Sequence, residues 1–326
     1  MAEVTYLEAI RQGMWEEMER DQNVFLLGED IGAYGGAFKV TEGFQEKFGE
    51  SRVIDTPISE SAIVGAAAGA AHMGLRPVAE MQFIDFIACA YDMLTNYVAT
   101  ARYRAGLSTP IVVRGPSGGY VRGGPFHSQM PEAAFFHTPG LKLVCPATAR
   151  DAKGLIKASI RDDDPVLFFE HKFLYRRIKE DLPEGEEILT PIGKARIARE
   201  GSDLTVVTWS AMVWKVLEAA EKLAEEDGVS VEVIDLRTLL PMDDEAILNS
   251  VKKTNRVLVA HEDTRTGGLA GEIAARVNEK AFEWLDGPVM RVTAHDTPLP
   301  YAPTLEDFIL PQTEDVVRAA RWLLAY

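Results

Sequence analysis

Short apolar runs recur through the first half of the chain at Val24-Phe25-Leu26-Leu27, Val78 to Phe83, Pro110 to Val113, Leu141 to Val144 and Val166 to Phe169. Between them lie stretches with helical spacing. Runs without polar alternation are buried on both faces, so the pattern predicts a largely parallel sheet covered by helices. Met1 to Asp21 reads as an amphipathic helix, with Tyr6, Ile10, Met14 and Met18 on one face and a Thr5/Glu8 capping box. A charged stretch from Arg176 to Gly193, holding Pro183, Gly185 and Pro191, is the best linker. Strands resume at Leu204 to Trp209, Val231 to Leu236, Val257 to His261 and Val289 to Val292. Helices are expected near Ala211 to Glu226, Asp243 to Lys252, Gly268 to Lys280 and Thr313 to Leu324. The expected organisation is therefore two α/β domains, residues 1–185 and 201–326, joined by a linker at 186–200.

Length and composition agree: 326 residues with 47% hydrophobic and 26% charged positions suit a globular protein with two cores. A formal charge of -16 argues against nucleic acid and anionic lipid as partners. Cys89 and Cys145 stand alone, without the spacing of a zinc site or redox pair. No cleavable leader is visible, and Ala62 to Ala71 is too short to span a bilayer. A cytoplasmic protein that enters no membrane is expected.

Ligands of open α/β sheets bind beyond the carboxyl ends of strands, so the residues following each apolar run are the candidates. Asp55-Thr56-Pro57-Ile58-Ser59-Glu60 leads into the small-residue stretch Gly65-Ala66-Ala67-Ala68-Gly69-Ala70-Ala71. Pro57 keeps the turn from being helical, and Ser59 is placed to cap a helix beginning near Ser61. Small side chains let that helix lie close to a neighbour and leave Glu60 facing a narrow, water-poor crevice. A carboxylate so placed is suited to hold or share a proton with a cofactor ring nitrogen. The alternative is a glutamate that only complements the helix dipole.

Gly115 to Gln129 is the richest polar loop. Gly115-x-Ser117-x-Gly119 has the form of a serine hydrolase elbow, but glycines and Pro125 stand where that elbow needs a helix. No nucleotide P-loop or dinucleotide fingerprint is present. His127 closes the loop, where a new helix is expected to begin, and could face the same opening as Glu60. A histidine there can serve as acid, base or carboxylate anchor, or be purely structural. The other five histidines have no metal-ligand spacing. Gln82 to Phe86 could offer an amide and an aromatic wall to a bound ring, or simply pack the core. Asp162 to Asp164 read as a solvated loop or, less simply, a cation site.

Taken in order, Gly28-Glu29-Asp30-Ile31-Gly32, Asp55 to Glu60, Gln82-Phe83, His127-Ser128-Gln129, Pro139 to Lys142, Asp151 to Leu155 and Asp235 to Leu239 closely resemble a known family. It is the beta subunit of the thiamine-diphosphate-dependent decarboxylating component of 2-oxo acid dehydrogenase complexes. The resemblance runs from about Thr5 to the C-terminus. It implies a transketolase-like fold, with an N-terminal pyrimidine-binding domain and a C-terminal domain that helps hold an alpha2-beta2 heterotetramer.

Carried over, the resemblance makes Glu60 the partner of the cofactor's aminopyrimidine nitrogen. It puts His127 in the substrate pocket, orienting the 2-oxo acid and serving acyl transfer to lipoamide. Gln82 and Phe86 would line the cofactor and acyl pocket, and Glu29 and Ile58 lie in cofactor-side segments. Phe86 stands where a close relative has tyrosine. Related subunits also hold potassium at positions matching Ile111, Ser159, Ile160, Asp162 and Asp164, the last an aspartate in place of the usual asparagine.

The Gly-Asp-Gly element with a spaced asparagine, which holds magnesium and diphosphate in thiamine enzymes, is missing. An alpha subunit is therefore expected to supply it, and a lipoyl-bearing acyltransferase core to receive the acyl group. Pyruvate and branched-chain 2-oxo acids both suit the motifs, as does an acetoin-cleaving relative. A non-catalytic assembly subunit is the rival from another class.

Overall fold

A computed structural model describes residues 2–183 and 185–326. Met1, in the expected N-terminal helix, and Glu184, in the charged stretch from Arg176 to Gly193, lie outside the described residues. The chain forms two compact units: the first takes the chain up to Ser117 together with Ala134–Ile192, and the second Gly118–Ala133 together with Gly193–Tyr326.

In the first unit the chain opens with strand β1 (Ala2–Thr5) and helix α1 (Tyr6–Arg20). The Thr5/Glu8 capping box forms, and it starts the helix at Tyr6 instead of Met1. Residues before a cap are extended, and here they pair antiparallel with β8 (Lys179–Leu182), a strand inside the charged stretch from Arg176 to Gly193. Tyr6, Ile10, Met14 and Met18 are buried, each Ile or Met contributing about 1.5–3 kcal/mol.

The main strands are β2 (Val24–Gly28), β3 (Val53–Asp55), β4 (Arg76–Glu80), β5 (Val112–Ser117), β6 (Lys142–Val144) and β7 (Val166–His171). They run in the order β6-β7-β5-β4-β2-β3, all parallel. From β2 the next strand lies to one side and the one after it to the other, which makes the end of β2 a topological switch point. The helices are α2 (Phe44–Phe48), α3 (Glu60–His72), α4 (Ala101–Ala105), the five-residue α5 (Glu132–Phe136), through which the chain returns to this unit, and α6 (Ala149–Arg161).

Helix α1 packs on α6 closely at Gly13, where a Cβ would lie 2.5 Å from Ile156 Cγ2 and 3.1 Å from the Lys153 carbonyl oxygen. Lys153, Lys157 and Arg161 of α6 pair with Glu16 and Glu17 of α1 around that contact.

The second unit is built on β9 (Arg196–Arg199), β10 (Leu204–Thr208), β11 (Val231–Asp235), β12 (Thr238–Leu240), β13 (Val257–Thr264) and β14 (Met290–Ala294). Its main sheet has the order β14-β13-β10-β11-β9, parallel except for β9. Strand β9 falls within residues 186–200, where only a linker was expected, because Ile197 pairs with Ile234 across a gap no local pattern reveals. Helices α7 (Met212–Asp227), α8 (Asp244–Thr254), α9 (Ala270–Ala281), α10 (Pro303–Ile309) and α11 (Thr313–Leu324) complete it.

Candidate active site

In the first unit, parallel registry sets Gly28 opposite both Asp55 and Glu80, so β2, β3 and β4 end side by side. The residues leaving them are Glu29-Asp30, Ile58 to Glu60, and Gln82. Asp55 Oδ1 accepts from the Gly32 N–H at 2.6 Å and the Thr56 N–H donates to the Gly28 carbonyl at 2.9 Å, which ties the first two loops together. Gln82 Nε2 donates to Asp30 Oδ2 at 3.2 Å. Burial pushes the Glu29 carboxyl above the usual range, and the charges of Glu60 and then Asp30 push it the same way. Glu29, Glu60, Asp30 and Gln82 thus form one polar cluster at the switch point, where a ligand of an open α/β sheet binds.

Phe86 is half-buried in a 3-10 turn (Ile84–Ala90), edge-on to Phe83 with ring centres 6.4 Å apart. Ile58 is 83% exposed. Helix α3 begins at Glu60, one residue earlier than expected, and Ser59 makes no capping bond with its side chain.

The narrow crevice expected around Glu60 is not built by this chain. Helix α3 buries Ile63, Val64, Ala67, Ala68 and Ala71, while Ala62, Ala66 and Gly69 are exposed, with nothing within 4 Å of a Cβ at Gly69. The small side chains do permit close approach, but on a face this chain leaves open.

Beneath the cluster lies a charged group that the strand pattern alone had hidden. Arg114 of β5 is 1% exposed and bridges Glu80 of β4 and Glu170 of β7, and the Tyr175 hydroxyl donates to Glu170 Oε2 at 2.8 Å. Burial raises the Glu80 carboxyl, Arg114 lowers it, and Glu170 and Glu29 raise it again. Its signal in the sequence is a charged residue within or directly after three of the apolar runs: Glu80 inside Val78 to Phe83, Arg114 after Pro110 to Val113 and Glu170 after Val166 to Phe169.

His127 belongs to the second unit, with the rest of Gly118–Ala133. It ends a short 3-10 turn (Gly124–Phe126) and no helix starts there; α5 begins five residues later at Glu132. At Gly123 a Cβ would lie 2.6 Å from the His127 carbonyl oxygen and 2.8 Å from Ser128 Oγ, so this sharp fold-back requires glycine. The segment is anchored by the Gly119 N–H on the Glu262 carboxylate and by the Tyr120 hydroxyl on the Pro311 carbonyl at 2.8 Å. Arg122 adds Glu306 Oε2 at 2.6 Å and Asp307 Oδ1 at 2.8 Å. Phe126, Ser128, Gln129, Glu262 and Asp263 line a cavity of about 810 Å³.

Residues 2–177 match the transketolase pyrimidine binding domain and residues 193–316 the transketolase C-terminal domain. The chain is 50% identical to the 2-oxoisovalerate dehydrogenase subunit beta of Bacillus subtilis (strain 168) and 43% identical to the pyruvate dehydrogenase E1 component subunit beta of the same organism, each over 100% of both chains. This chain belongs to the family of 2-oxo acid dehydrogenase beta subunits. Among solved structures it is similar to a split gene transketolase described as an inactive beta4 tetramer, 25% identical, with a TM-score of 0.80 over 99% of both chains. The two-domain, transketolase-like α/β fold expected from the family's motifs is the one observed.

The positions that relatives in this family were expected to use for potassium cluster near the end of α6, but their oxygens are engaged. Arg76 Nη1 donates to the carbonyls of Ile160 at 3.1 Å and Asp162 at 2.9 Å, and the Ile111 carbonyl accepts from the Val166 N–H at 3.0 Å. The Ser159 carbonyl accepts from the Asp162 N–H, and Asp164 is paired with Arg102. Arg76 thereby brings positive charge to two of these carbonyls, and a carbonyl that accepts one hydrogen bond keeps a second lone pair.

Proposed function

We propose that the chain is the beta subunit of the decarboxylating component of a 2-oxo acid dehydrogenase, acting with an alpha subunit on pyruvate or a branched-chain 2-oxo acid and passing the acyl group to lipoamide on an acyltransferase core. The observation that carries this reading is the carboxylate cluster at the ends of β2, β3 and β4, with Glu29 and Glu60 close enough to repel. Such a donor set fits an aminopyrimidine, which needs a carboxyl able to exchange a proton with a ring nitrogen. Thiamine diphosphate, when bound, supplies a nucleophilic carbon and an electron sink for decarboxylation.

In this reading Glu60 holds and moves a proton at its carboxylate, and Glu29 tunes it. Gln82, Phe86 and the exposed Ile58 shape the cofactor-side wall. His127 orients the substrate carboxylate. Magnesium and the diphosphate fall to the alpha subunit, since this chain lacks the residues that hold them, and the open small-residue face of α3 suits the close approach of another chain. The setting is the cytoplasm; no described helix is long and apolar enough to cross a membrane.

Replacing Glu60 by alanine tests this reading. In the complex reconstituted with the alpha subunit, kcat should fall by about 10²–10⁴, the usual worth of a positioned acid or base, with assembly intact by sedimentation. Unchanged turnover would favour a subunit that only supports assembly.

A further inference from the structure

The segment bearing His127 is pinned at its near end by Gly119, Tyr120 and Arg122. Its far end is held differently. Glu132 is fully buried, and Oε1 accepts from the Trp209 indole N–H at 3.1 Å while Oε2 has no hydrogen-bond partner. Between the two anchors the loop bonds to itself: the His127 N–H reaches the Gly124 carbonyl at 3.4 Å, the Gly118 N–H reaches the Gln129 carbonyl at 2.8 Å, and Gln129 Nε2 reaches the Pro125 carbonyl at 2.6 Å.

We propose that the Trp209–Glu132 hydrogen bond is a clasp that positions His127, with Glu132 acting through the loop and not on substrate. The proposal rests on the role assigned to His127 above.

The surroundings favour an uncharged Glu132. Asp263 and Glu262 face it with like charge, and Lys215 lies near enough to Glu262 to feel its charge. Trp209 stacks on His261 with ring centres 5.1 Å apart and planes 12° from parallel. Burial, helped by Arg291, pushes His261 down to about 3, so that ring is neutral. Burial and then Asp263 push the Glu132 carboxyl well above its usual range. Ionising it would set a buried negative charge beside two others, which opposes closure of the clasp. A protonated Glu132 still accepts from the indole, and a glutamine does the same.

The test is amide hydrogen exchange on the chain assembled with its alpha subunit, read by mass spectrometry alongside steady-state turnover. Trp209→Phe keeps an aromatic ring against His261 and removes the N–H along with part of the indole's volume. It should speed exchange over residues 123–130 by about tenfold, the worth of one net hydrogen bond, without touching β10 or β13, and should lower kcat more than it raises KM. Glu132→Gln should keep wild-type protection. The wild type should lose loop protection as pH rises, after correction for intrinsic exchange, and Glu132→Gln should abolish that loss.

Unchanged loop exchange in Trp209→Phe overturns the clasp, as does equal quickening of β10 and β13. The same pH-dependent loss in Glu132→Gln overturns the part given to Glu132. A loosened loop with unchanged kcat leaves the clasp standing and removes His127 from the reaction.

Discussion

Arg114 lies between two carboxylates in the middle of a parallel sheet, a position where charge is expensive to strand. Replacing it by methionine leaves Glu80 and Glu170 facing one another without a cation. The expected cost is about 3–5 kcal/mol at neutral pH, less in mild acid where a carboxylate can take up a proton. Urea denaturation of Arg114→Met at the two pH values measures this.

Asp263 gives a second pH signature. Burial, partly opposed by the hydrogen bonds of Thr264, moves its pKa to about 6, against an ordinary value of 3.8. Between those values the native chain binds more protons than the unfolded one, so stability falls as pH rises through that window and then levels off. Asp263→Asn should flatten the slope in a series of thermal melts between pH 4 and 7; a slope unchanged from wild type would assign it to another group. Among the candidate residues, Glu60 and Glu29 were legible because a strand end followed by an acid is a local signature. Glu132 and Asp263 were not, since only the pairing of segments distant in sequence brings them to face each other.

At the scale of elements, the α1–α6 contact depends on the lack of a side chain at Gly13. Gly13→Ala gains helix propensity but drives a methyl into Ile156 and the Lys153 carbonyl, and overpacking of that kind costs about 1–3 kcal/mol. A lower urea midpoint with an unchanged slope is the expected result.

Most strands of both sheets could be read from the chain because they are buried on both faces and thus uniformly apolar. Strands β8 and β9 could not. Lys179-Glu180-Asp181-Leu182 carries no apolar run, and its extended form comes from pairing with Ala2–Thr5. The same applies to α3: its small residues announce a close contact, but nothing local says whether the neighbour is in this chain, and the structure leaves Ala62, Ala66 and Gly69 open.

For the molecule as a whole, the missing diphosphate-binding element has a direct consequence. The purified chain should show negligible affinity for thiamine diphosphate with magnesium by calorimetry, and addition of the alpha subunit should restore it; tight binding by the lone chain would contradict a shared site. The division into two α/β units follows the sequence pattern closely enough to be seen in it. The allegiance of Gly118–Ala133 does not, because it depends on partners such as Glu262, Glu306 and Pro311 far along the chain.

That allegiance also bears on how the molecule is made. Tyr120 leaves the ribosome 191 residues ahead of Pro311, the carbonyl its hydroxyl will meet. At ordinary elongation rates the wait is about 10–40 s. Throughout that interval the loop destined to carry His127 hangs from the nascent polypeptide without its docking partners, and only nearly complete translation lets it settle.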